Sequence, residues 1–299
     1  MTAFRHLPAI LLLALGLQTL CAQQSEPQKS VLLWPDGAPG ALGNAPSDQP
    51  RLLLFLAAEK MEHRTHAGIL VLPGGGYSSL SMNEEGLPGV KWLNNLGISA
   101  FVLIYRVGPR YHFPIEFQDA SRAMRWIRSH AAEYNVDPHR IGVWGFSAGG
   151  HLASTLGTHF DGGNPIAEDA IERTGDRPDF MILTYPVIGP LGKAAESSFA
   201  NLLGEHPNPG VQDDLTNDKH VTSETPPTFL VHADDDKWVM PENSINFYLA
   251  LRRAGVPAEL HIYQRGDHGF GLAQSDPILS TWPDLLANWL RLRRLLNTN

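Results

Sequence analysis

The sequence predicts an α/β fold in which a mostly parallel central sheet is covered by helices on both faces. Short apolar segments of strand length alternate along the chain with longer segments of helical periodicity. Several strand segments are apolar throughout rather than at every second position, which is typical of parallel strands buried on both faces. The alternation and the apolar strands together indicate parallel strands connected by crossover helices.

The composition is that of a globular protein with a large core. Of 299 residues, 43% are hydrophobic and 18% are charged, as in typical globular domains. The net charge of −8, with no long run of lysine or arginine, argues against nucleic acid as a partner. Because we find neither an internal repeat nor an interdomain linker, residues 23–299 are predicted to form a single domain.

Residues 1–22 have the features of a signal peptide. A basic start precedes an apolar stretch over residues 7–17, which is too short to span a bilayer, and a polar segment follows. Cleavage after Ala22 would give a secreted or periplasmic protein without an integral membrane segment. Cys21 offers a lipoprotein alternative, but Leu20 before it fits a lipid-attachment site poorly. Because Cys21 is the only cysteine, the mature chain would have no disulfide and no cysteine nucleophile.

The predicted strands are short, mainly apolar runs bounded by turn-forming residues. A loop rich in glycine and proline precedes the first of them. The segment at residues 68–72 is apolar throughout and is therefore expected near the centre of the sheet. Strands are predicted over residues 52–56, 68–72, 98–105, 141–146, 180–185, 228–232 and 258–263.

Helices are predicted where apolar residues recur every three to four positions. The clearest covers residues 115–134, where alanine, methionine and isoleucine side chains mark one face. Arg122, Arg125 and Arg128 lie off that face and are interpreted as a solvated helix surface. The other helices are predicted over residues 84–96, 148–157, 242–254 and 284–297.

Residues 186–227 show no clear helix or strand pattern between two predicted strands. The segment contains several prolines and glycines, and it is too long for a plain connection. We therefore expect an irregular insertion that forms a small cap over the functional site.

The stretch Gly145-Phe-Ser147-Ala-Gly149 lies directly between a predicted strand and a predicted helix. In this setting a G-x-S-x-G motif is typical of a nucleophile elbow, a tight and strained turn that exposes the serine hydroxyl. The turn leaves no room for side chains two residues from the nucleophile, and glycines occupy both positions. Ser147 is therefore predicted to be a nucleophile, the alternative being an ordinary turn that contains a serine.

Two later loops offer the base and the acid that a serine nucleophile needs. His268 lies in a glycine-rich loop directly after a predicted strand, which would let it reach Ser147. Three adjacent aspartates, Asp234, Asp235 and Asp236, follow the preceding strand. Because serine, acid and histidine occur in this order in α/β hydrolases, His268 is predicted as the base and one of these aspartates as the acid.

The backbone N–H of Ala148, with one or two from the glycine run 74–76, is expected to bind an oxyanion. A glycine run can also cradle a phosphate, but this one lacks the lysine and hydroxyl residue of a P-loop and the spacing of a dinucleotide-binding motif. Asp267 beside His268 would suit a metal, yet no matching His/Asp cluster is visible elsewhere in the sequence. Neither a metal nor another cofactor is therefore predicted.

Four short motifs, taken together, carry a family resemblance. They are Leu-Pro-Gly-Gly-Gly-Tyr77, Gly-Phe-Ser147-Ala-Gly-Gly-His-Leu-Ala, Pro-Pro-Thr-Phe-Leu-Val-His232 and Gly-Asp-His268-Gly-Phe-Gly. The chain thus resembles the secreted α/β-hydrolase carbohydrate esterases of the acetyl-xylan-esterase and feruloyl-esterase type, over most of its length. The resemblance implies the α/β-hydrolase fold, an esterase activity without a cofactor, and an acylated carbohydrate as substrate.

The resemblance also implies roles for particular residues. In such proteins the acid lies four residues after the histidine of the Val-His strand end, which selects Asp236. The run Pro-Gly-Gly-Gly, in place of the lipase-type His-Gly-Gly-Gly, carries Gly75 and Gly76 over as oxyanion donors beside Ala148. The usual Val-Val-Pro sequence is replaced here by Trp238-Val-Met-Pro, which brings a bulky side chain near the acid.

Four further residues are candidates to line the acyl or sugar pocket. Tyr77, Tyr105 and Arg106 follow predicted strand ends, and Trp238 follows the candidate acid. The alternative is that these side chains pack at the rim of the site. His151, on the helix after the elbow, is expected to pack beneath the site and not to act in it.

The sequence therefore predicts a serine esterase that removes acetyl or other small acyl groups from plant polysaccharides or oligosaccharides such as xylan. One alternative is a serine peptidase of the prolyl-oligopeptidase type, although no propeller or other large gating domain precedes the hydrolase region. Another is a catalytically silent binding protein, against which the intact set of Ser147, Asp236 and His268 argues.

Overall fold

The strands of the computed structural model, which describes residues 26–296, form one eight-stranded sheet. They are β1 (Lys29–Leu32), β2 (Arg51–Phe55), β3 (Gly68–Leu72), β4 (Ser99–Ile104), β5 (Ile141–Phe146), β6 (Met181–Thr184), β7 (Thr228–Ala233) and β8 (Ala258–Tyr263). Their order in the sheet is β1-β2-β4-β3-β5-β6-β7-β8. β2 is antiparallel to both neighbours, whereas the strands from β4 to β8 are mutually parallel. The predicted mostly parallel sheet is confirmed.

Helices cover both faces of this sheet. They are α1 (Leu87–Asn95), α2 (Ile115–Ser129), α3 (Ser147–Thr158), α4 (Lys193–Leu203), α5 (Val211–Asp214), α6 (Glu242–Arg253) and α7 (Trp282–Leu292). Residues of α2, α3 and α6 contribute to one hydrophobic core, and residues of α1 and α7 to a second core. The two cores lie on opposite faces of the sheet, as the crossover connections require.

The central strand β3 shows why its sequence is apolar at every position. Leu70 and Leu72 pack into the core with α2 and α3. Ile69 and Val71, whose side chains point to the opposite face, pack into the core with α1 and α7. Because all five residues of β3 are buried, each must be apolar or lack a side chain, and the predicted central position is confirmed.

The structure differs from the predicted elements at one edge of the sheet and at the ends of helices. β1 was not predicted from the sequence, because its residues are exposed or only partly buried and an edge strand therefore carries a weak apolar pattern. The predicted helix 115–134 ends as α2 at Ser129, and the backbone leaves the helical conformation at His130. A π-helical turn, Met82–Gly86, precedes α1.

Two arginines of α2 do not lie on a solvated surface as predicted. Arg122 and Arg125 are not solvated but only 4% and 5% exposed, and they pair with acidic residues of a loop at residues 159–180. Arg122 Nη1 lies 2.7 Å from carboxylate oxygens of Asp169 and Glu172. Arg125 forms ion pairs with carboxylates of the same loop. The arginine face of α2 is therefore covered by this loop.

The segment 186–227 is also less irregular than predicted. It contains α4, an 11-residue helix that follows Gly192 and ends before Gly204, and the single turn α5. Both glycines have positive φ, which lets the chain turn sharply at the helix ends. Alanine, leucine and phenylalanine supply the apolar residues of α4, a pattern that the prolines and glycines around it masked.

The part of the chain from residue 26 to residue 296 contains no helix both long enough and apolar enough to cross a membrane. The predicted signal peptide, residues 1–22, and Cys21 within it lie outside the described residues.

Candidate active site

Ser147 lies at the turn between β5 and α3 in a left-handed conformation with φ of 50°. A Cβ on Gly145 would lie 2.2 Å from the carbonyl oxygen of Gly149, and a Cβ on Gly149 would lie 2.1 Å from that of Leu72. Both distances are shorter than any tolerated contact, so only glycine fits at either position. The turn thus has the strained geometry of a nucleophile elbow.

The structure brings together the three residues predicted to carry the chemistry. Ser147 Oγ lies 2.8 Å from Nε2 of His268, which is 121 residues away along the chain. His268 Nδ1 lies 2.7 Å from Asp236 Oδ2. With the imidazole proton on Nδ1 donated to the carboxylate, Nε2 is free to accept the serine hydroxyl proton. The arrangement is that of a nucleophile, a base and an orienting acid.

Among the three adjacent aspartates, only Asp236 faces His268. Its side chain is buried, whereas Asp234 and Asp235 are exposed. Asp235 has a different contact, because its Oδ1 accepts the backbone N–H groups of Gly266 and Asp267 at 2.9 Å. Asp235 therefore anchors the histidine loop, and Asp236 bonds the imidazole itself.

Several donors hold the Asp236 carboxylate. Its Oδ1 accepts the backbone N–H groups of Trp238 and Val239 at 3.0 and 2.9 Å. Its Oδ2 lies 3.3 Å from Nε2 of the buried His232. Burial raises the pKa of Asp236, but hydrogen bonds from His232 and His268 outweigh burial, so the pKa lies below its ordinary value. The carboxylate is therefore charged and able to stabilise an imidazolium.

The contact of His232 with the acid was not predicted from the sequence. His232 Nδ1 lies 2.8 Å from the hydroxyl of Ser244, and Nε2 also lies 2.9 Å from the carbonyl oxygen of Val239. These contacts place the ring proton on Nε2, toward Val239 and Asp236. The position of His232 at a strand end, four residues before the acid, is the signal that would have indicated this contact.

The glycine loop after β3 passes close to the nucleophile. Gly75 and Gly76 have φ of 121° and 62°, and neither backbone N–H donates to another group among the described residues. A Cβ on Gly74 would lie 3.0 Å from Cβ of Ser147. Ala148 lies in the first turn of α3, where backbone N–H groups have no helical acceptor. Candidate oxyanion donors thus lie in the glycine loop that passes close to the serine and in the residue that follows the serine.

Three of the four predicted pocket residues have other contacts, and for their side chains the prediction is wrong. Tyr77, Tyr105 and Arg106 are all buried. Tyr105 Oη donates to the carbonyl oxygen of Pro73 at 2.7 Å, and Arg106 forms a 2.6 Å ion pair with Asp119. These side chains stabilise the loops behind the site through buried hydrogen bonds. A polar side chain that follows a strand end can make such a bond instead of lining a pocket.

Tyr77 contacts His151, which is buried beneath the site as expected. Tyr77 Oη lies 2.7 Å from Nδ1 of His151, and Nε2 of the same ring donates to the carbonyl oxygen of Leu215 at 2.8 Å. Burial lowers the pKa of His151 to about 4, so the ring is neutral. His151 therefore joins α3 to the segment 186–227.

Trp238, the fourth predicted pocket residue, is exposed beside the acid. Its side chain is 51% exposed, although its backbone N–H is held by Asp236. Leu191 and Met240 are also exposed, and the Met240 N–H donates to the Leu191 carbonyl oxygen at 3.1 Å. The three side chains belong to neighbouring backbone segments next to the triad.

The fold also brings together a His/Asp cluster that was not predicted from the sequence. Nε2 of His159 and Nε2 of His220 each lie 3.9 Å from Oδ1 of Asp214. Ligand atoms of a tetrahedral zinc ion lie closer together, at about 3.4 Å. His220 Nε2 also lies 3.3 Å from the carbonyl oxygen of Asp213. The nitrogen and oxygen atoms of these three side chains are therefore farther apart than the ligand atoms of a bound zinc ion.

The chain is similar in sequence and fold to several known proteins. The chain is 42% identical to the acetyl ester-xyloside bifunctional hydrolase from Caldicellulosiruptor lactoaceticus, with a TM-score of 0.84 over 91% of this chain and 98% of that chain. It is 36% identical to the acetylxylan esterase of Xylanibacter ruminicola over 77% of this chain and 46% of that protein. It is also 36% identical to the endo-1,4-beta-xylanase B of Butyrivibrio fibrisolvens over 72% of this chain and 34% of that protein.

These last two relatives are longer proteins, of which the chain spans about half and about a third. Residues 54–251 match the BD-FAE family. The matched range contains the glycine loop, the elbow and the acid loop, while the histidine loop lies just beyond it. The chain belongs to the BD-FAE family, and its fold is that of the α/β hydrolases.

Proposed function

We propose that this chain is a serine esterase that removes acetyl or other small acyl groups from plant polysaccharides or oligosaccharides such as xylan. The observation that carries the proposal is the continuous row of hydrogen bonds from Ser147 Oγ through His268 to Asp236, beside the free donors of the glycine loop. The names of the relatives, an acetylxylan esterase and an acetyl ester-xyloside hydrolase, support the choice of acyl group and sugar.

In the first half of the reaction, Ser147 Oγ attacks the ester carbonyl carbon while His268 Nε2 takes the hydroxyl proton. The negative charge that develops on the carbonyl oxygen is stabilised by the N–H groups of Gly75, Gly76 and Ala148. When the intermediate collapses, the imidazolium protonates the departing sugar oxygen, and the acyl group stays on the serine. Asp236 holds the ring and stabilises its positive charge throughout.

In the second half, water replaces the sugar alcohol. His268 accepts a proton from that water, the oxygen attacks the acyl carbon, and the same backbone donors bind the second oxyanion. Collapse releases the carboxylic acid and returns the proton from His268 to Ser147. Apart from the substrate and this water, all groups in the cycle are side chains or backbone amides of the chain, so the proposed reaction needs no cofactor.

The sugar-binding part of the proposal rests on Trp238 and the cap. An exposed indole beside the acid offers an apolar face on which a sugar ring can stack. A groove of about 510 Å³ is lined by residues of the segment 186–227 and of α6, including Leu191, Gln212, Asp218 and Asn243. Because Leu191 is shared by the groove and the exposed surface around Trp238, we propose that the cap segment guides an acylated chain toward Ser147.

Ser147→Ala tests the mechanism directly. We expect hydrolysis of an aryl acetate to fall by about 10⁴-fold or more, because the nucleophile is lost while the fold is kept. Ser197→Ala, at an exposed serine of α4, is the control and should keep the wild-type rate. Near-wild-type hydrolysis by Ser147→Ala would overturn the proposal.

A substrate panel with the wild-type protein tests the specificity. Acetylated xylan should be hydrolysed with the highest kcat/KM, ahead of a feruloyl ester and a proline-containing peptide. A preference for the feruloyl ester would change the acyl group, and a preference for the peptide would favour the serine-peptidase alternative. Released acetate, ferulate and amine are the quantities to measure.

A further inference from the structure

Glu85 is a buried carboxyl group beside the site that the proposed mechanism does not use. It lies in the π-helical turn before α1, and only 5% of the residue is exposed. A carboxylate is rarely buried unless it accepts several hydrogen bonds. Its partners therefore indicate why it is there.

One oxygen of Glu85 holds the oxyanion loop. Oε2 accepts the backbone N–H of Gly74 at 2.6 Å, a short distance typical of a bond to a charged acceptor. The carbonyl oxygen of Gly74 in turn accepts the N–H of Ser81 at 3.0 Å. Both polar groups of the Gly74 backbone are thus hydrogen-bonded, one to the π-helical turn and one to Ser81, the residue before that turn. Gly74 directly precedes the proposed donors Gly75 and Gly76.

The other oxygen of Glu85 holds the histidine loop through Tyr185. Oε1 accepts the hydroxyl of Tyr185 at 3.1 Å, and that hydroxyl oxygen accepts the backbone N–H of Gly271 at 3.1 Å. The Tyr185 ring packs edge-on against the imidazole of His268, with ring centroids 5.1 Å apart. Tyr185 has a φ of 37° at the end of β6, a strained conformation that such contacts must stabilise.

The histidine loop also contacts the π-helical turn through the backbone. A Cβ on Gly271 would lie 2.7 Å from the carbonyl oxygen of Glu84, so the histidine loop passes against this turn with no space for a side chain. One short segment of the chain therefore contacts the oxyanion loop on one side and the histidine loop on the other.

We infer that Glu85 is a positioning residue that couples the oxyanion loop to the catalytic histidine. It fixes the Gly74 backbone, and with it the direction of the Gly75 and Gly76 N–H groups, while Tyr185 fixes the His268 ring. The inference rests on the proposed serine-esterase function. A misplacement of about 1 Å in either loop is enough to reduce turnover strongly, because the donors must match the transition state and not only the substrate.

The charge of Glu85 adds a pH dependence to this role. Burial raises the pKa of Glu85 to about 6, although hydrogen bonds from Gly74 and Tyr185 and the nearby His268 act in the opposite direction. The titratable groups around it are Glu84 on its own turn, Tyr105, Tyr185 and His268. A proton on the carboxyl would displace one of its two donors, so part of the loss of activity below pH 6 should come from Glu85.

Glu85→Gln tests the inference, because the amide has the same shape without the charge. We expect kcat for an aryl acetate to fall about 10- to 100-fold with little change in KM, since the loss affects the transition state. The acid limb of the pH–kcat profile should become less steep, because the substituted amide cannot take up the proton that Glu85 does. Glu84→Gln, at the exposed neighbouring glutamate, is the matched control and should stay within about twofold of wild type.

Tyr185→Phe and the double variant separate positioning from simple packing. If Glu85 acts through Tyr185, the double variant should lose less activity than the product of the single losses, because both act in one network. Strictly multiplicative losses, an unchanged pH profile in Glu85→Gln, or a kcat within twofold of wild type would each overturn the inference. Thermal unfolding of each variant shows that the compared proteins are folded.

The aryl acetate assay keeps this test separate from the proposed function. If Ser147→Ala stays active, the serine-esterase proposal fails, whatever Glu85 does. If Ser147 is essential and Glu85→Gln is unimpaired, only the inference about Glu85 fails.

Discussion

Asp236 is the proposed acid because of its surroundings in the fold. Its carboxylate is chemically the same group as those of its neighbours Asp234 and Asp235. The backbone N–H groups of Trp238 and Val239 and the ring of His232 hold its carboxylate, and one oxygen remains aimed at His268. Asp235 uses the same chemical group to anchor the histidine loop. At the scale of single residues, function therefore follows from which hydrogen bonds a side chain can reach.

Asp236→Asn is expected to lower kcat for an aryl acetate by about 10³-fold or more, because an amide in this place favours the wrong imidazole tautomer. Asp234→Asn is the control and should stay within about twofold of wild type, since that side chain is exposed. Asp235→Asn should lose little as well, because an amide oxygen can still accept the two backbone N–H groups. A larger loss in Asp234→Asn or Asp235→Asn than in Asp236→Asn would move the acid to another residue.

At the scale of elements, the β5–α3 elbow depends on close backbone contact with β3 and its following loop. Besides the 2.1 Å to Leu72, a Cβ on Gly149 would lie 2.5 Å from the carbonyl oxygen of Pro73. The same contact brings α3 and the glycine loop together, so the nucleophile and the oxyanion donors share one support. Any side chain at this position would push the two apart.

Gly149→Ala is therefore expected to lower the free energy of unfolding by about 3 kcal/mol through overpacking against backbone, and to lower kcat by moving the glycine loop. Gly162→Ala is the matched control, because a Cβ there would meet nothing within 4 Å, and its effect should stay within about 0.5 kcal/mol. Urea unfolding with aryl acetate kinetics measures both quantities. Equal stability of the two variants would contradict the close contact.

At the scale of the whole molecule, the loop at residues 159–180 is held on α2 by buried charge. Arg125 Nη2 lies 3.2 Å from Asp176 Oδ2, and the Asp176 carboxyl is 1% exposed. Oδ1 of Asp176 also accepts the backbone N–H of Asp161 at 2.7 Å. Because a buried carboxylate without its cation is strongly destabilising, these pairs secure the loop to the helix.

Arg125→Ala should lower the free energy of unfolding by about 3 kcal/mol, since Asp176 would stay buried without its cation. The kcat of the folded variant should be close to wild type, because Arg125 contacts none of the triad residues. Arg253→Ala, at an exposed arginine near the end of α6, should change stability by less than about 0.5 kcal/mol. A loss of kcat without a loss of stability in Arg125→Ala would contradict this role for the loop.

Much of the fold was predictable because its signals are local. β3 must be apolar on both faces, so its existence and central position were predicted correctly, and the period of α2 shows in the sequence, so the existence of this helix was predicted correctly. β1 was missed because an edge strand buries little, and α4 was missed because prolines and glycines flank it. The buried state of Arg122 and Arg125 could not be foreseen, since it depends on a distant loop.

The short-range sequence was sufficient to indicate the elbow, the glycine loop and the histidine loop. Each follows a strand, and the parallel sheet brings the ends of its strands to one edge. Spacing alone left three adjacent aspartates as candidates; the family resemblance selected Asp236, and the tertiary packing places its carboxylate against His268. Only the tertiary packing buried Tyr77, Tyr105 and Arg106, and only it joined Glu85 to Tyr185, which lies 100 residues away along the chain. Turn geometry and the periodicity of helices and strands depend on residues that are a few positions apart in the sequence. Burial and hydrogen bonding depend on distant segments that only the folded chain brings into contact.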